Sequence, residues 1–262
     1  LQQGEQDDWP GDPQFPLLAL VISGAHSELV SIPRHGRYEL LGQTRDDAAG
    51  EAFDKVARLL GLGYPGGPAV ERVASQRDAT RPNPYRLPRA WLKGSYDFSF
   101  SGLKTATLEI VEGALAAQSA ETANASSDVA GHARASTRGS RYRRAGASAE
   151  GRETLSIPDL AEAFQESVVD VLATKTTQAA QALGVRQVLL AGGVAANLAL
   201  RERLTKDLTA LGIALRYPPV ALCTDNAAMI GAAAYFHLRL GERNGLDLDV
   251  RPNLQLPFAT GV

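Results

Sequence analysis

The chain has 262 residues, 44% of them hydrophobic and 21% charged, with a net charge of −2. This is ordinary globular composition, sufficient for one large domain or two small ones, and it gives no global attraction to nucleic acid. A single cysteine, Cys223, excludes an internal disulfide. No apolar run reaches the roughly 18 residues of a membrane span and no signal peptide is evident, so a soluble, cytoplasmic protein is expected.

Residues 1–16 are polar and read as a flexible lead-in. Three strands are predicted next, over Leu17–Ser23, Ser27–Ile32 and Arg37–Thr44, joined by short turns that suit an antiparallel meander. The hydrophobic period then becomes helical over Ala48–Leu60, with Asp46 and Asp47 placed to cap the helix. Tyr64-Pro65-Gly66-Gly67-Pro68 reads as a tight turn before a short helix over Ala69–Gln76. A Pro- and Arg-rich loop from Arg77 to Gly94 leads through Tyr96–Thr105 into a helix over about Leu103–Leu115.

The stretch from about 117 to 153 is rich in Ala, Ser, Gly, Thr and Arg and poor in large apolar residues. Such a composition cannot bury enough surface to offset its ordering entropy, so it is expected to be disordered. Its arginines would allow an RNA-contacting arm; a solvated insertion is the preferred reading. Ile157–Leu183 is the longest helix expected, with Leu160, Phe164, Val168, Val171 and Leu172 as its apolar stripe. A strand over Gln187–Leu190, a helix over Asn197–Leu211, a strand over Ala214–Tyr217 and a helix ending near Leu240 follow, before a polar tail over 253–262. Residues 17–116 and 154–252 therefore form one α/β unit. Three antiparallel strands followed by alternating helices and strands suit a ribonuclease-H-like lobe, the half-unit of actin-like ATPases.

Four turns carry small or polar residues at element ends: Ser23-Gly24-Ala25-His26, Tyr64–Gly67, Gly192–Asn197 and Thr224-Asp225-Asn226. In an α/β lobe such turns gather at one sheet edge, where ligands bind. Asp54 either pairs with Lys55 or Arg58 or accepts hydrogen bonds from ribose hydroxyls. Asp225 reads either as a helix N-cap or as one metal ligand, and one carboxylate does not make a metal site. The four histidines form no His-x-x-x-His pair, and no nucleophile–base spacing points to a hydrolase.

Six blocks in order carry a resemblance: Leu20–His26, Asp46–Lys55, Tyr64–Pro68, Phe98–Thr105, Ala191–Asn197 and Cys223–Asn226. Together they resemble the bacterial tRNA N6-adenosine threonylcarbamoyltransferase family, formerly called glycoprotease-like, over about residues 17–252. The resemblance implies the second lobe of a two-lobe actin-like ATPase fold. It implies transfer of a threonylcarbamoyl group from threonylcarbamoyl-AMP to N6 of adenosine 37 in tRNAs reading codons that begin with A. It implies as partners tRNA, a paralogous actin-like dimer subunit and a P-loop ATPase. It further implies that Val21, Ile22, Ser23, Gly24 and Ala25 line the acyl-adenylate, that Asp54 bonds the ribose, that Gly67 packs beside the nucleoside, and that Asn197 contacts the nucleotide. Asp225 would be one ligand of a divalent metal, Fe(2+) in preference to Zn(2+).

Departures from the family pattern bear on these expectations. The two histidines that would complete the metal site are expected upstream of Leu17 and are not in this chain. The chain is therefore read as N-terminally truncated and inactive alone, or else as a non-catalytic partner lobe; a small-molecule kinase is a weaker reading. In the loop that usually reads Ser-Gly-Gly-His-Thr, Ala25 and Ser27 replace Gly and Thr. A methyl at Ala25 is expected to strain or crowd the site if the backbone there is left-handed or closely approached.

Overall fold

A computed structural model of the chain describes residues 13–127 and 155–249. Most of the expected lead-in and insertion, and the whole tail, lie outside the described residues. The elements are β1 (Leu17–Ile22), β2 (Ser27–Arg34), β3 (Arg37–Gln43), α1 (Ala49–Leu59), α2 (Gly66–Ala74), α3 (Ser101–Ser127), α4 (Ile157–Leu183), β4 (Gln187–Ala191), α5 (Leu198–Thr209), β5 (Ala214–Arg216) and α6 (Ala227–Arg239). Short 3-10 turns occupy Gly193–Ala196 and Val220–Leu222.

The five strands form one mixed sheet in the order β3-β2-β1-β4-β5. β1–β2 and β2–β3 are antiparallel, as the short turns require, whereas β4 joins β1 in parallel with Leu18 opposite Val188 and Val21 opposite Ala191. β5 extends the parallel half. This is the ribonuclease-H-like lobe expected, of mixed α/β class. β1 is central and reads accordingly: Leu18, Leu20 and Ile22 are fully buried, and Leu17 and Ala19, on its other face, are buried too. Each of the leucine and isoleucine side chains contributes roughly 1.5–3 kcal/mol relative to exposure.

α4 organises the helical layer. Ser156 caps it, its Oγ accepting from Asp159 N; Pro158 sits in the first turn, where a missing N–H costs nothing; Gly184 closes it in the left-handed region. The expected stripe of Leu160, Phe164, Val168, Val171 and Leu172 is buried, and Phe164 meets Phe53 of α1 edge-on with centroids 5.1 Å apart. α2 and α5 pack on α4, and α1 packs on α2.

Several local expectations are corrected. α3 runs on to Ser127, so the first residues of the segment expected to be disordered are helical. Asp46 and Asp47 do not cap α1, whose N-cap is Ala48 without a side-chain bond. Asp46 instead caps α3 across space: it accepts from Ser99 Oγ (2.6 Å), Phe100 N (2.8 Å), Ser101 N (3.3 Å) and Ser101 Oγ (2.7 Å). Asp47 accepts from Lys55. Ala25 is not in the left-handed region; among the described residues the only non-glycine there is Leu92 (φ 36).

α6 differs from the other helices. It is strongly apolar, yet none of its residues is buried. Its visible anchorage is the stacking of Phe236 on His35, at 4.2 Å, which Phe15 meets edge-on. No helix among the described residues is long and apolar enough to cross a membrane.

Candidate ligand cleft at the carboxyl ends of two parallel strands

Parallel pairing of β1 with β4 sets the loops after both strands side by side, the place where open α/β sheets bind ligands. The contact is close. Gly192 has φ 90, and a Cβ on it would lie 2.2 Å from the Ile22 carbonyl oxygen. Only glycine satisfies both demands. The Val21–Ala25 loop therefore presents backbone. The Ile22 side chain is fully buried in the core, Val21 is half-buried, and Gly24, Ala25 and His26 are exposed. Ser23 closes the loop on itself: its Oγ accepts from Ala25 N (3.2 Å) and His26 N (3.0 Å), and its N–H donates to His26 O (2.8 Å). Its carbonyl accepts from Gly50 N at the start of α1.

The α1–α2 pair adds a second wall. Asp54 Oδ1 accepts from Gly66 N at 2.7 Å, capping α2. The alternative pairing with Lys55 or Arg58 is not formed; Lys55 goes to Asp47 and Glu51. The second oxygen of Asp54 is left over for another donor. α2 approaches so closely that a Cβ at Gly66 would lie 2.5 Å from Asp54 Cα, whereas Gly67 and Gly24 face open space.

Asn197 closes the turn that follows β4. It is 7% exposed and its side chain is already engaged: Oδ1 accepts from Leu200 N (2.9 Å) as the N-cap of α5, and Nδ2 donates to Gln165 Oε1 (2.9 Å). One amide N–H remains. Two residues here escaped the sequence reading. Glu71, one turn beyond Gly67, accepts from Leu198 N at 2.6 Å. Gln165 is a buried polar residue inside the apolar stripe of α4, and that placement is the signal that could have found it.

Asp225 stands apart. It is exposed, and its carboxylate has no hydrogen bond or ion pair among the described residues. The cap of α6 belongs to its neighbour Asn226, whose Oδ1 accepts from Met229 N at 3.0 Å. Among the described residues no three His, Cys, Asp or Glu side chains gather to hold a metal ion. The described residues therefore do not make a metal centre by themselves; Asp225 offers one carboxylate, and among the described residues no second ligand accompanies it.

Two shifted carboxylates and a shifted lysine gather on the segment 92–101. Burial pushes the Asp46 carboxyl up, but hydrogen bonds from Ser99, Ser101 and Phe100 outweigh this and hold it below its ordinary value. Asp97 behaves alike: burial raises it, and Gln43 N, Arg45 and Ser95 prevail. Lys175 is depressed by burial; its ammonium donates to the carbonyls of Leu92, Ser95 and Asp97, the closest at 2.6 Å.

Comparison with known proteins places this arrangement. The family model described as "TsaD: tRNA N6-adenosine threonylcarbamoyltransferase" matches residues 4–232. The tRNA N6-adenosine threonylcarbamoyltransferase of Thermomicrobium roseum is 51% identical over 97% of this chain and 64% of its own length. That of Symbiobacterium thermophilum is 50% identical over 93% of this chain and 60% of its own, and that of Bacillus subtilis 46% identical over 92% and 60%. The chain thus spans about three-fifths of the length of these curated relatives. A crystal structure of T. kodakarensis HypF aligns with a TM-score of 0.47 at 18% identity, covering 74% of this chain and 20% of that one, too remote to add to the assignment. With a family model matching residues 4–232 and about half of its residues shared by such relatives, the chain belongs to the TsaD family of tRNA N6-adenosine threonylcarbamoyltransferases.

Proposed function

We propose that this lobe forms one wall of the site that transfers a threonylcarbamoyl group from threonylcarbamoyl-AMP to N6 of adenosine 37 in tRNAs reading codons that begin with A. The supporting observation is the β1–β4 junction, where Gly192 and the Ser23–Ala25 loop lie edge to edge in a chain about half identical to named transferases. Exposed backbone at Gly24 and Ala25, together with Val21, Ile22 and Ser23, would face the acyl-phosphate. The unshared oxygen of Asp54 would accept from the ribose. Open space over Gly67 would admit the nucleoside, and the remaining amide N–H of Asn197 would donate to the nucleotide. The apolar surface of α6 is where a second lobe would rest. Asp225 would give one ligand to a divalent iron whose other ligands come from outside this chain. Partners on this reading are tRNA, a paralogous actin-like subunit and a P-loop ATPase, in the cytoplasm.

The test is to supply the preceding part of the Thermomicrobium roseum relative, fused or in trans, and to measure threonylcarbamoyladenosine in tRNA with threonylcarbamoyl-AMP as donor. Modification is expected with both lobes and not with this chain alone. A well-folded two-lobe protein that neither binds the adenylate nor modifies tRNA sinks the proposal. A second reading is a non-catalytic partner lobe of the same fold. Stoichiometric iron or zinc in the active two-lobe protein excludes it.

A further inference from the structure

We infer that Arg201 is a positioning residue, locking the Gly193–Asn197 turn to the 217–226 segment at one fixed separation; its functional side rests on the roles proposed above for Asn197 and Asp225, one in each segment. Arg201 lies one helical turn beyond Asn197, whose carbonyl accepts its backbone N–H at 3.2 Å. Its Nε donates to the Ala195 carbonyl, inside the turn. From the same guanidinium, Nη2 donates to Pro218 O and to Cys223 Sγ, both at 3.4 Å, and Cζ sits 4.3 Å from the centroid of the Tyr217 ring. Cys223 is buried, with Sγ 3.5 Å from Pro219 O. One planar side chain thus grips two segments about twenty residues apart in sequence.

Apart from Cys223, which packs into the hydrophobic core, little else holds the second segment. Its other hydrogen bonds are local: Leu222 N to Pro219 O, Cys223 N to Val220 O, and Asn226 Nδ2 to Leu222 O and Thr224 O. Among the described residues, the hydrogen bonds reaching from 217–226 back to the sheet and to α1–α5 are those donated by Arg201. Tyr217, Val220 and Leu222 are exposed. Nor does Arg201 have a carboxylate partner among the described residues; carbonyls, a thiol and an aromatic face receive its charge. A half-buried cation without a counter-ion is a poor choice for stability alone. A rigid fork with donors on two edges is a good choice for bridging two loops, and a lysine, with one point charge on a flexible stem, serves only one of them.

Arg201→Met and Arg201→Lys in the chain as it stands provide the test, read first by hydrogen–deuterium exchange. Arg201→Met is expected to speed exchange at amides 220–226 about ten-fold or more while β1 and β4 keep wild-type protection. Arg201→Lys falls between, and it decides the matter should the methionine variant fail to fold. Unchanged exchange at 220–226 in both variants, or a uniform rise across the sheet, overturns the inference. In the active two-lobe protein, Arg201→Met is expected to lower turnover roughly 10–100-fold, the range a misplacement of about 1 Å produces, with KM for the acyl-adenylate within about two-fold. A raised KM with turnover kept would remove the positioning role. If the wild-type two-lobe protein transfers nothing, the functional reading fails while the exchange result still decides the brace.

Discussion

At Gly192 a single hydrogen atom decides whether the cleft exists. Gly192→Ala places a methyl 2.2 Å from the Ile22 carbonyl in a backbone that already has φ 90, so either the turn or β1 must move. The expected loss is roughly 2–4 kcal/mol, strain plus broken β1–β4 pairing, read by urea denaturation. Asp54→Asn separates fold from function. The amide keeps an oxygen for Gly66 N, so stability should change by less than about 1 kcal/mol, while on the proposed ribose role loss of the charge should weaken acyl-adenylate binding by the two-lobe protein about ten-fold or more. Calorimetry and denaturation on one preparation check both halves. The glycine-bearing turns were legible because their residue types answer local backbone demands. Gln165 and Glu71 were not, because what distinguishes each is a partner distant in sequence: Asn197, 32 residues on, for Gln165, and Leu198 N, 127 residues on, for Glu71.

At the scale of elements, periodicity served well where one helix face is buried. The bounds of α4 match because a capping serine, a first-turn proline and a closing glycine bracket its stripe. It served poorly where a cap is borrowed from elsewhere. Asp46 precedes α1 in sequence but caps α3, so its partners could not be read from the residues beside it. The Asp46 clamp has a pH signature. Its folded pKa lies below the unfolded value of about 3.9, so its stabilisation is complete above that value and is lost as pH falls through the lower, folded pKa. Asp46→Asn should therefore cost about 1 kcal/mol at neutral pH and flatten the acid limb of the stability curve, measured by denaturant titration from pH 7 to 2. Lys175→Met leaves the carbonyls of Leu92, Ser95 and Asp97 without their ammonium; a loss of about 1–3 kcal/mol is expected, with proteolysis first in the 92–97 loop.

For the whole molecule, α6 and the sheet give opposite messages. The lobe has a complete core, yet α6 leaves Ile230 and Leu238, and Leu240 at its C-cap, each more than half exposed. Ile230→Glu should change the melting of this lobe by no more than about 0.5 kcal/mol, because little burial is lost. In the assembled two-lobe protein the same change should cost about 2–3 kcal/mol, the penalty of burying a charge where an apolar side chain belonged. Equal, small effects in both contexts would mean that nothing covers this helix.

The seam between β1 and β4 also carries a kinetic consequence. Leu18 and Val188 pair across about 170 positions, while the β1–β3 meander and the β4–β5 unit close over short stretches. Two local halves can form early, and the central parallel ladder must wait for the long loop to shut. Loop-closure entropy grows only with the logarithm of length, so removing residues 128–154 should change that step by roughly 0.2 kcal/mol. A ligand lying across Ile22 and Gly192 binds only after the ladder has zipped, so its effect on kinetics should be a slower unfolding rate with little change in refolding. The cleft is then also a latch: whatever occupies it keeps the two halves of the sheet together.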